Sequence, residues 1–161
     1  MTSNTAPSPY VVSASSEYNS TYAAWRVFDK TTTYYWRASD GQVTNQWIQI
    51  DLGDDNKFAG NKWRWRSETN TYNPKRFKLQ GSLDGASWID LETMYESSDY
   101  TQISSNTWSD WFTFSNNTKF RYYRMFIVSG YHATSIYVDE IEIVQNYSDF
   151  QIPAINVLDP L

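Results

Sequence analysis

Short runs in which apolar and polar residues alternate are the feature that most constrains the fold of this chain. Residues Trp47–Leu52 read W-I-Q-I-D-L, and residues Lys62–Arg66 read K-W-R-W-R. A period of two puts every second side chain on the same face of a strand, so Ile48, Ile50 and Leu52 share one face. The apolar face of such a strand must be covered by a second layer of structure, which favours a β-sandwich or barrel.

Further strand-like runs follow along the chain, separated by turn-forming residues. They are Val11–Ser15, Arg76–Gly81, Trp88–Leu91, Trp111–Phe114, Arg121–Val128 and Ile136–Val144. The pair Asp84-Gly85 lies between two of them, which is typical of a β-hairpin. Helical periodicity is weak, and the best candidate, Tyr22–Phe28, has room for only one or two turns. The sequence therefore predicts an all-β fold.

Aromatic residues make up 18% of the chain and include 8 tryptophans and 13 tyrosines. Rings pack well on pleated sheets, so we expect most of them in the core or on sheet faces. Trp63 and Trp65 alternate with basic residues and are predicted to be buried, whereas Trp108 and Trp111 are compatible with either exposure or burial. The residues predicted to lie mostly inside are Ile48, Ile50, Leu52, Trp63, Trp65, Phe77, Leu79, Trp88, Ile141 and Ile143.

The composition argues against several classes of function. The formal net charge is −5 and the sequence pI is about 4.7, so the chain repels nucleic-acid phosphates and anionic lipid headgroups. The absence of cysteine excludes disulfides, thiolate metal ligands and cysteine nucleophiles. A single histidine leaves little room for a catalytic triad, and no apolar run is long enough to span a membrane. We expect a chain that is not an enzyme, binds no nucleic acid and does not insert into a membrane.

Composition also divides the chain into three parts. Residues 1–10 are small, polar and rich in proline, which is typical of a lead-in. Residues 11–144 contain all the strand-like runs and form the predicted domain. Residues 145–161 contain prolines and apolar residues without a period, and form a C-terminal extension. Two roles are open for it: it covers a sheet edge of its own domain, or it packs on another chain.

One ordered set of motifs runs from Val12 to Val144. The motifs are SASS, WRVFD, WIQIDLG, LQGSLDGASW, RYYRMFI and DEIEIV. Each motif is weak alone, but their order resembles a discoidin domain, also called a coagulation-factor type C domain. The resemblance implies an antiparallel jelly-roll β-sandwich of the galactose-binding-domain-like type. Many animal members are bracketed by a disulfide, so a chain without cysteine resembles a bacterial or phage type.

The resemblance also implies a structural calcium ion, which in carbohydrate-binding relatives often links the first loop to the last strand. By position, the side-chain ligands are Asp29 and Glu140, and backbone oxygens near Lys30, Thr31 and Asp139 complete the shell. Calcium prefers six to eight oxygen ligands, and loops supply carbonyl oxygens readily.

Two departures from the family pattern bear on this metal site. Lys30 stands where the family usually has glycine, and Tyr34 stands where relatives often have a threonine ligand. The alternative without metal is that Asp29 caps a turn and Glu140 pairs with a lysine or arginine.

Sugar sites combine flat rings, which stack on a pyranose face, with a few fixed polar groups that recognise hydroxyls. In the family these groups lie on loops at one end of the sandwich, which correspond here to Lys30–Tyr35, Glu68–Asn73 and Ser129–Ser135. The candidate ligand-binding residues are Tyr34, Tyr35, Arg66, Asn70, Tyr72, Tyr131 and His132. The alternative is that the tyrosines are packing rings and that His132 is an ordinary exposed residue.

Two functions from different classes follow. The resemblance implies a non-catalytic, lectin-like module that binds cell-surface glycans or polysaccharide. The alternative is a decoration or cell-adhesion subunit of a particle such as a phage virion, with no sugar bound. In that case residues 145–161 would contact other virion or surface proteins, and the chain would be oligomeric. Both functions place the chain outside the cell or on a virion, although its N-terminus lacks the basic and apolar regions of a signal peptide.

Overall fold

The computed structural model describes residues 1–96 and 103–145, and strands dominate this part of the chain. In chain order the strands are β1 (Val11–Ala14), β2 (Trp36–Arg37), β3 (Thr44–Asp51), β4 (Lys62–Arg66), β5 (Pro74–Ser82), β6 (Ile89–Asp90), β7 (Phe112–Thr113), β8 (Tyr122–Gly130), β9 (Tyr137–Val138) and β10 (Glu140–Val144). Short 3-10 turns occur at Ser20–Tyr22, Ala24–Phe28, Asp54–Asn56 and Asn70–Tyr72. The predicted all-β fold is confirmed.

Two antiparallel sheets form the layers of the sandwich. The larger sheet has the strand order β1-β3-β8-β5-β6, and the smaller sheet has the order β10-β4-β7. Ile48 of β3 pairs with Met125 of β8, and Ile50 pairs with Tyr123, and all four side chains are buried. A shift of one residue would turn the whole apolar set of one strand towards solvent, so burial of this face specifies the register.

The core between the two sheets is built around aromatic rings. Trp63 and Trp65 of β4 are fully buried, as predicted. Phe77 of β5 meets both of them edge-on, with centroid distances of 5.9 Å to Trp63 and 5.6 Å to Trp65. Edge-to-face contacts of this kind are favourable because the positive edge of one ring meets the negative face of the other.

The structure corrects the prediction for Trp88, which is half-buried and not in the core. Its ring lies under Arg124, whose guanidinium carbon is 3.9 Å from the ring centroid. Buried residues alternate with half-buried ones along β8, which places Arg124 on the outer face of the larger sheet. Trp88 directly precedes β6, a two-residue strand at the edge of the larger sheet. Ile143 is also half-buried and packs against the core from its rim.

The run Ile136–Val144 is divided between two sheets, although alternation predicts one strand. β9 pairs with β2, and β10 pairs with β4. The division occurs at Asp139, whose N–H donates to the carbonyl of Arg66 at 3.0 Å and whose buried carboxylate pairs with the Arg66 guanidinium. The hydrogen bond and the ion pair attach Asp139 to Arg66 of β4 at the point where the chain changes sheet.

The predicted lead-in packs against the domain. The amino group of Met1 donates to the carbonyl of Phe28 at 2.9 Å. The side-chain oxygen of Asn4 accepts from the backbone N–H of Trp25 at 3.1 Å, and its carbonyl accepts from Val12 at 2.7 Å. Residues 146–161, almost all of the predicted extension, lie outside the described residues. Within the described ranges, no helix has the length and hydropathy needed to cross a membrane.

Candidate functional site

Six aromatic rings from separate segments form a continuous row, which we term the tyrosine platform. It consists of Tyr22, Tyr34, Tyr35, Tyr72, Tyr137 and His132. The rings come from a 3-10 turn, from the loop before β2, from the loop before β5, from β9 and from the loop before it. Only the tertiary structure brings these segments together.

The centre of the platform is a stack of three rings. Tyr137 lies between Tyr35, at a centroid distance of 4.8 Å and an angle of 29°, and Tyr72, at 4.2 Å and 15°. His132 extends the stack at 4.3 Å from Tyr72. Tyr137 is buried while the rings around it are half-buried, so the more exposed rings pack against a buried one.

The other end of the row is more open. Tyr22 lies 4.9 Å from Tyr35 and 6.2 Å from Tyr34, and Tyr34 is 38% exposed. Tyr18 approaches Tyr22 to 6.2 Å and is 42% exposed, so ring faces and edges remain accessible here. Exposed rings that are held by their neighbours lose little freedom when a ligand stacks on them.

Hydrogen bonds to Asn73 hold the loop that carries Tyr72. The buried Asn73 side chain accepts from the Ser67 hydroxyl at 2.6 Å and donates to the carbonyl of Ile103 at 3.0 Å. Its carbonyl accepts from the N–H of Tyr131 at 3.0 Å, which ties this loop to the loop before β9. Buried polar groups with all these partners rigidify the backbone around the platform.

Charged groups border the platform. The Arg37 guanidinium carbon lies 3.5 Å from the ring centroid of Tyr18 and 5.6 Å from that of Tyr137, and the guanidinium pairs with Asp40. Burial, followed by the charge of Glu68, raises the pKa of Tyr35 well above its usual range. Burial also raises the pKa of Glu68 itself. The Tyr35 hydroxyl therefore stays protonated across the physiological range.

Of the seven predicted binding residues, four lie on the platform: Tyr34, Tyr35, Tyr72 and His132. The other three lie elsewhere. Arg66 pairs with Asp139, and its Nη2 donates to the carbonyl of Asn106 at 2.9 Å. Tyr131 is 5.9 Å from the Lys75 ammonium. Asn70 begins the 3-10 turn that ends with Tyr72, and its N–H donates to the hydroxyl of Ser105 at 3.1 Å.

Sequence reasoning missed Tyr18, Tyr22, Arg37 and Tyr137 as members or neighbours of the platform. Tyr22 lies in the weakly helical segment and Tyr137 in a run assigned to a core strand, so neither carried a local signal of ligand contact. The register Arg37↔Tyr137 between β2 and β9 brings the missed residues together. A two-residue strand such as β2 is too short for alternation to reveal.

The predicted metal ligands form a pair of largely buried carboxylates. Asp29 caps a turn, because its Oδ1 accepts from both the N–H and the hydroxyl of Thr31 at 2.8 Å. Its Oδ2 lies 3.4 Å from Nη1 of Arg26. Glu140 is 5% exposed, and in the described part of the chain it has no ion pair with lysine or arginine.

The environment of Glu140 opposes a negative charge. Burial, followed by the charge of Asp29, raises the pKa of Glu140 to about 8, while the N–H groups of Thr31 and Lys30 act in the other direction. Its Oε1 is buried and has no hydrogen-bond partner among the described residues. The donor chemistry of this pair fits a hard cation, since a cation would offset the repulsion and satisfy Oε1. Within the described ranges no third carboxylate, histidine or cysteine joins the pair, so the remaining ligands would be carbonyls and water.

Comparison with known sequences identifies the family. The sequence model of the F5/8 type C domain matches residues 11–140. The chain belongs to the F5/8 type C domain family. The resemblance drawn from the order of the motifs is therefore confirmed. Among curated proteins, a BTB/POZ domain-containing protein of Arabidopsis thaliana is 27% identical over 101 residues, which are 62% of this chain. The match spans only 12% of that longer protein.

Two solved structures with a similar fold superpose on most of the chain. A selenomethionine-labelled mutant of a chitosan-binding module from a chitosanase/glucanase of Paenibacillus sp. IK-5 is 25% identical, with a TM-score of 0.65, over 84% of this chain and 93% of that module. A CBM32 module from Clostridium perfringens, solved in complex with GalNAc-β-1,3-galactose, is 16% identical, with a TM-score of 0.69, over 84% and 95% of the two chains. The F5/8 type C domain described here therefore shares its β-sandwich fold with carbohydrate-binding modules.

Proposed function

We propose that this F5/8 type C domain binds carbohydrate, and that the tyrosine platform is the surface on which sugar rings stack. The observation that carries the proposal is the continuous row of ring contacts from Tyr34 to His132, with its more open end at Tyr34 and Tyr18. The C–H face of a pyranose packs on such rings, because it buries apolar surface on both sides. The chitosan-binding module that is 25% identical supports the same class of ligand.

Polar groups beside the rings would recognise the hydroxyl groups of the sugar. Arg37 lies over Tyr18, and Glu68 lies close enough to Tyr35 to raise its pKa. His132 accepts a hydrogen bond at Nδ1 from the N–H of Thr134 at 3.2 Å. Donors and acceptors fixed in this way favour one arrangement of hydroxyls over another. In this role the chain orients and retains a sugar and makes or breaks no covalent bond, in agreement with the binding modules to which it is similar.

A calcium ion at Asp29 and Glu140 would support this function by fixing a loop that carries two of the platform rings. These residues would hold the ion together with backbone oxygens, and the ion would supply positive charge between two carboxylates that otherwise repel each other. Asp29 begins the loop that leads to Tyr34 and Tyr35, so the ion would anchor that loop to β10. The proposed role is structural, and the sugar would not contact the metal.

The particle-decoration alternative has less support. It depends on the extension, of which residues 146–161 lie outside the described residues. The named structural relatives are carbohydrate-binding modules. We therefore keep glycan binding as the proposed function and treat assembly on a virion or cell surface as a separate question.

The direct test is to screen the purified chain on a glycan array and then to measure affinity for the best ligand by calorimetry. Tyr72→Ala removes the ring next to Tyr137 and should weaken binding about fivefold, because a ring contact contributes on the order of 1 kcal/mol. The control is Tyr122→Ala, a half-buried tyrosine on the larger sheet and outside the platform, which should bind as the wild type does. Equal loss in both variants would contradict the assignment of the surface, and no hit on the array would contradict the function.

A further inference from the structure

A cleft borders the loop 30–35, which also carries Tyr34 and Tyr35 of the platform. Its volume is about 450 Å³, and it is lined by Phe28, Lys30, Thr32, Arg66, Trp108, Glu140, Ile141 and Glu142. None of the platform rings lines it. Its volume falls within the range of small-molecule sites, about 300–1,000 Å³.

Trp108 is the large ring of this cleft, and the backbone around it is fixed. Trp108 forms a β-bridge with Arg66, and the next residue, Ser109, donates its N–H to the carbonyl of Trp65 at 2.8 Å. The buried hydroxyl of Ser109 accepts from the N–H of Trp65 at 3.1 Å. The Trp108 side chain nevertheless remains 37% exposed. An indole that is exposed on a fixed backbone is suited to stacking on a ligand.

A neighbouring arginine holds the indole itself. The Arg64 guanidinium carbon lies 4.4 Å from the ring centroid of Trp108 and 4.3 Å from that of Trp111. Glu142 of β10 binds the same guanidinium through Nε at 2.8 Å and Nη2 at 2.7 Å. The contacts of Arg64 with the two indole rings and with Glu142 restrict the rotamer of Trp108. The Trp108 side chain therefore loses little conformational entropy when a ligand packs on it.

Two arginines near the cleft are paired within the protein, Arg66 with Asp139 and Arg64 with Glu142. Lys30 and Glu140 also line the cleft and have no ion pair among the described residues. The paired groups keep free lone pairs and N–H groups that can bind hydroxyls. The hydroxyl of Thr32 adds a further donor and acceptor.

We infer that the cleft is a second binding site, for a pyranose that stacks on Trp108 and uses Arg66, Glu142 and Thr32 to bind its hydroxyls. The inference rests on the proposed function for its class of ligand but uses other residues. The two sites flank one loop, since Lys30 and Thr32 line the cleft and Tyr34 and Tyr35 belong to the platform. Two sites on one domain raise avidity for a polysaccharide or a dense glycan surface without tight binding at either site.

The indole N–H signal of Trp108 in ¹⁵N-resolved NMR spectra of the full chain reports on this site. Trp108→Phe identifies the signal by its disappearance, and a melting curve confirms that this variant is folded. The probes are galactose and GalNAc-β-1,3-galactose. We expect a saturable shift of the Trp108 signal with these sugars. The signal of Trp47, on the larger sheet, should stay in place.

The same titration in Tyr72→Ala separates the two sites. If the Trp108 shift persists with an unchanged affinity while calorimetry shows the platform impaired, the second site is supported. If the shift disappears with Tyr72, there is a single site and the inference is wrong. A Trp108 signal that never moves, in a protein whose binding depends on Tyr72, overturns the inference and leaves the proposed function intact. Absence of all binding contradicts both.

Discussion

Tyr72 stacks on Tyr137 with ring centroids 4.2 Å apart and ring planes inclined by 15°. One ring belongs to a 3-10 turn in the loop before β5, and the other to a two-residue strand near the end of the domain. The stack connects the loop that carries Tyr72 to the strand pair β2–β9, on which the rest of the platform is built. It is therefore both a structural contact and the centre of the proposed binding surface.

Tyr131→Ala should weaken glycan binding much less than Tyr72→Ala. The Tyr131 side chain contacts Lys75 and none of the platform rings, although its loop supports the site. Calorimetry with one ligand on both variants gives the comparison. A larger loss for Tyr131→Ala would restore Tyr131 as the main stacking residue and place the binding surface nearer to Lys75.

Chelation with EDTA should lower the melting temperature, and added calcium should restore it, because a ligand bound only by the folded state stabilises that state. Asp29→Asn, which keeps the size of the side chain and removes its charge, should abolish this response. Asp55→Asn, a change at an exposed acid, is the matched control and should respond as the wild type does. Melting curves of metal-free protein that are indifferent to calcium would contradict the metal site.

Glu92 should make stability depend on pH near neutrality. Its Oε1 accepts from the indole of Trp63 at 2.7 Å and from the N–H of Leu79 at 3.1 Å, but its Oε2 is buried without a partner among the described residues. Burial raises the pKa of Glu92 from 4.5 to about 7. The stability that this residue contributes is complete below about pH 4.5 and is lost as the pH rises through 7.

Glu92→Gln should therefore gain stability relative to the wild type between pH 5 and pH 8. The amide keeps the oxygen that accepts both hydrogen bonds and cannot ionise. The expected relative gain is a few kcal/mol, since one pKa unit corresponds to about 1.4 kcal/mol. Urea unfolding at the two pH values measures it. Parallel pH profiles for the wild type and this variant would show that Glu92 does not titrate in this range.

Trp65→Ala should destabilise the fold by about 3–5 kcal/mol, because it empties a fully buried site between the sheets. Trp108→Ala, at a ring that is 37% exposed, should cost distinctly less. Urea unfolding monitored by far-UV circular dichroism compares the two. Similar losses would mean that Trp108 belongs to the structural core, which would weaken the case for the second site.

Alternation predicted some parts of this fold well and others poorly, for reasons visible in particular residues. Lys62–Arg66 is a strand with the predicted bounds, because one face of this strand is buried in the core and the other is half-buried. Ile136–Val144 was wrong as a single strand, since the change of partner from β2 to β4 depends on how the sheets are arranged, which local periodicity does not report. Trp88 was wrong as a core residue because the local pattern does not show that its ring meets Arg124 on the outer face of the sheet.

The sequence by itself determined the fold class and the family, because period-two patterning and the order of motifs are local properties of the chain. It also pointed to Asp29 and Glu140, and to four of the platform rings, through their positions in the family pattern. Only the tertiary structure decided which rings touch, that Tyr137 supports them, and that Trp108 opens onto a cleft beside Arg66. These contacts join residues that are distant in the chain, so they depend on strand register and sheet order, which local pattern does not encode.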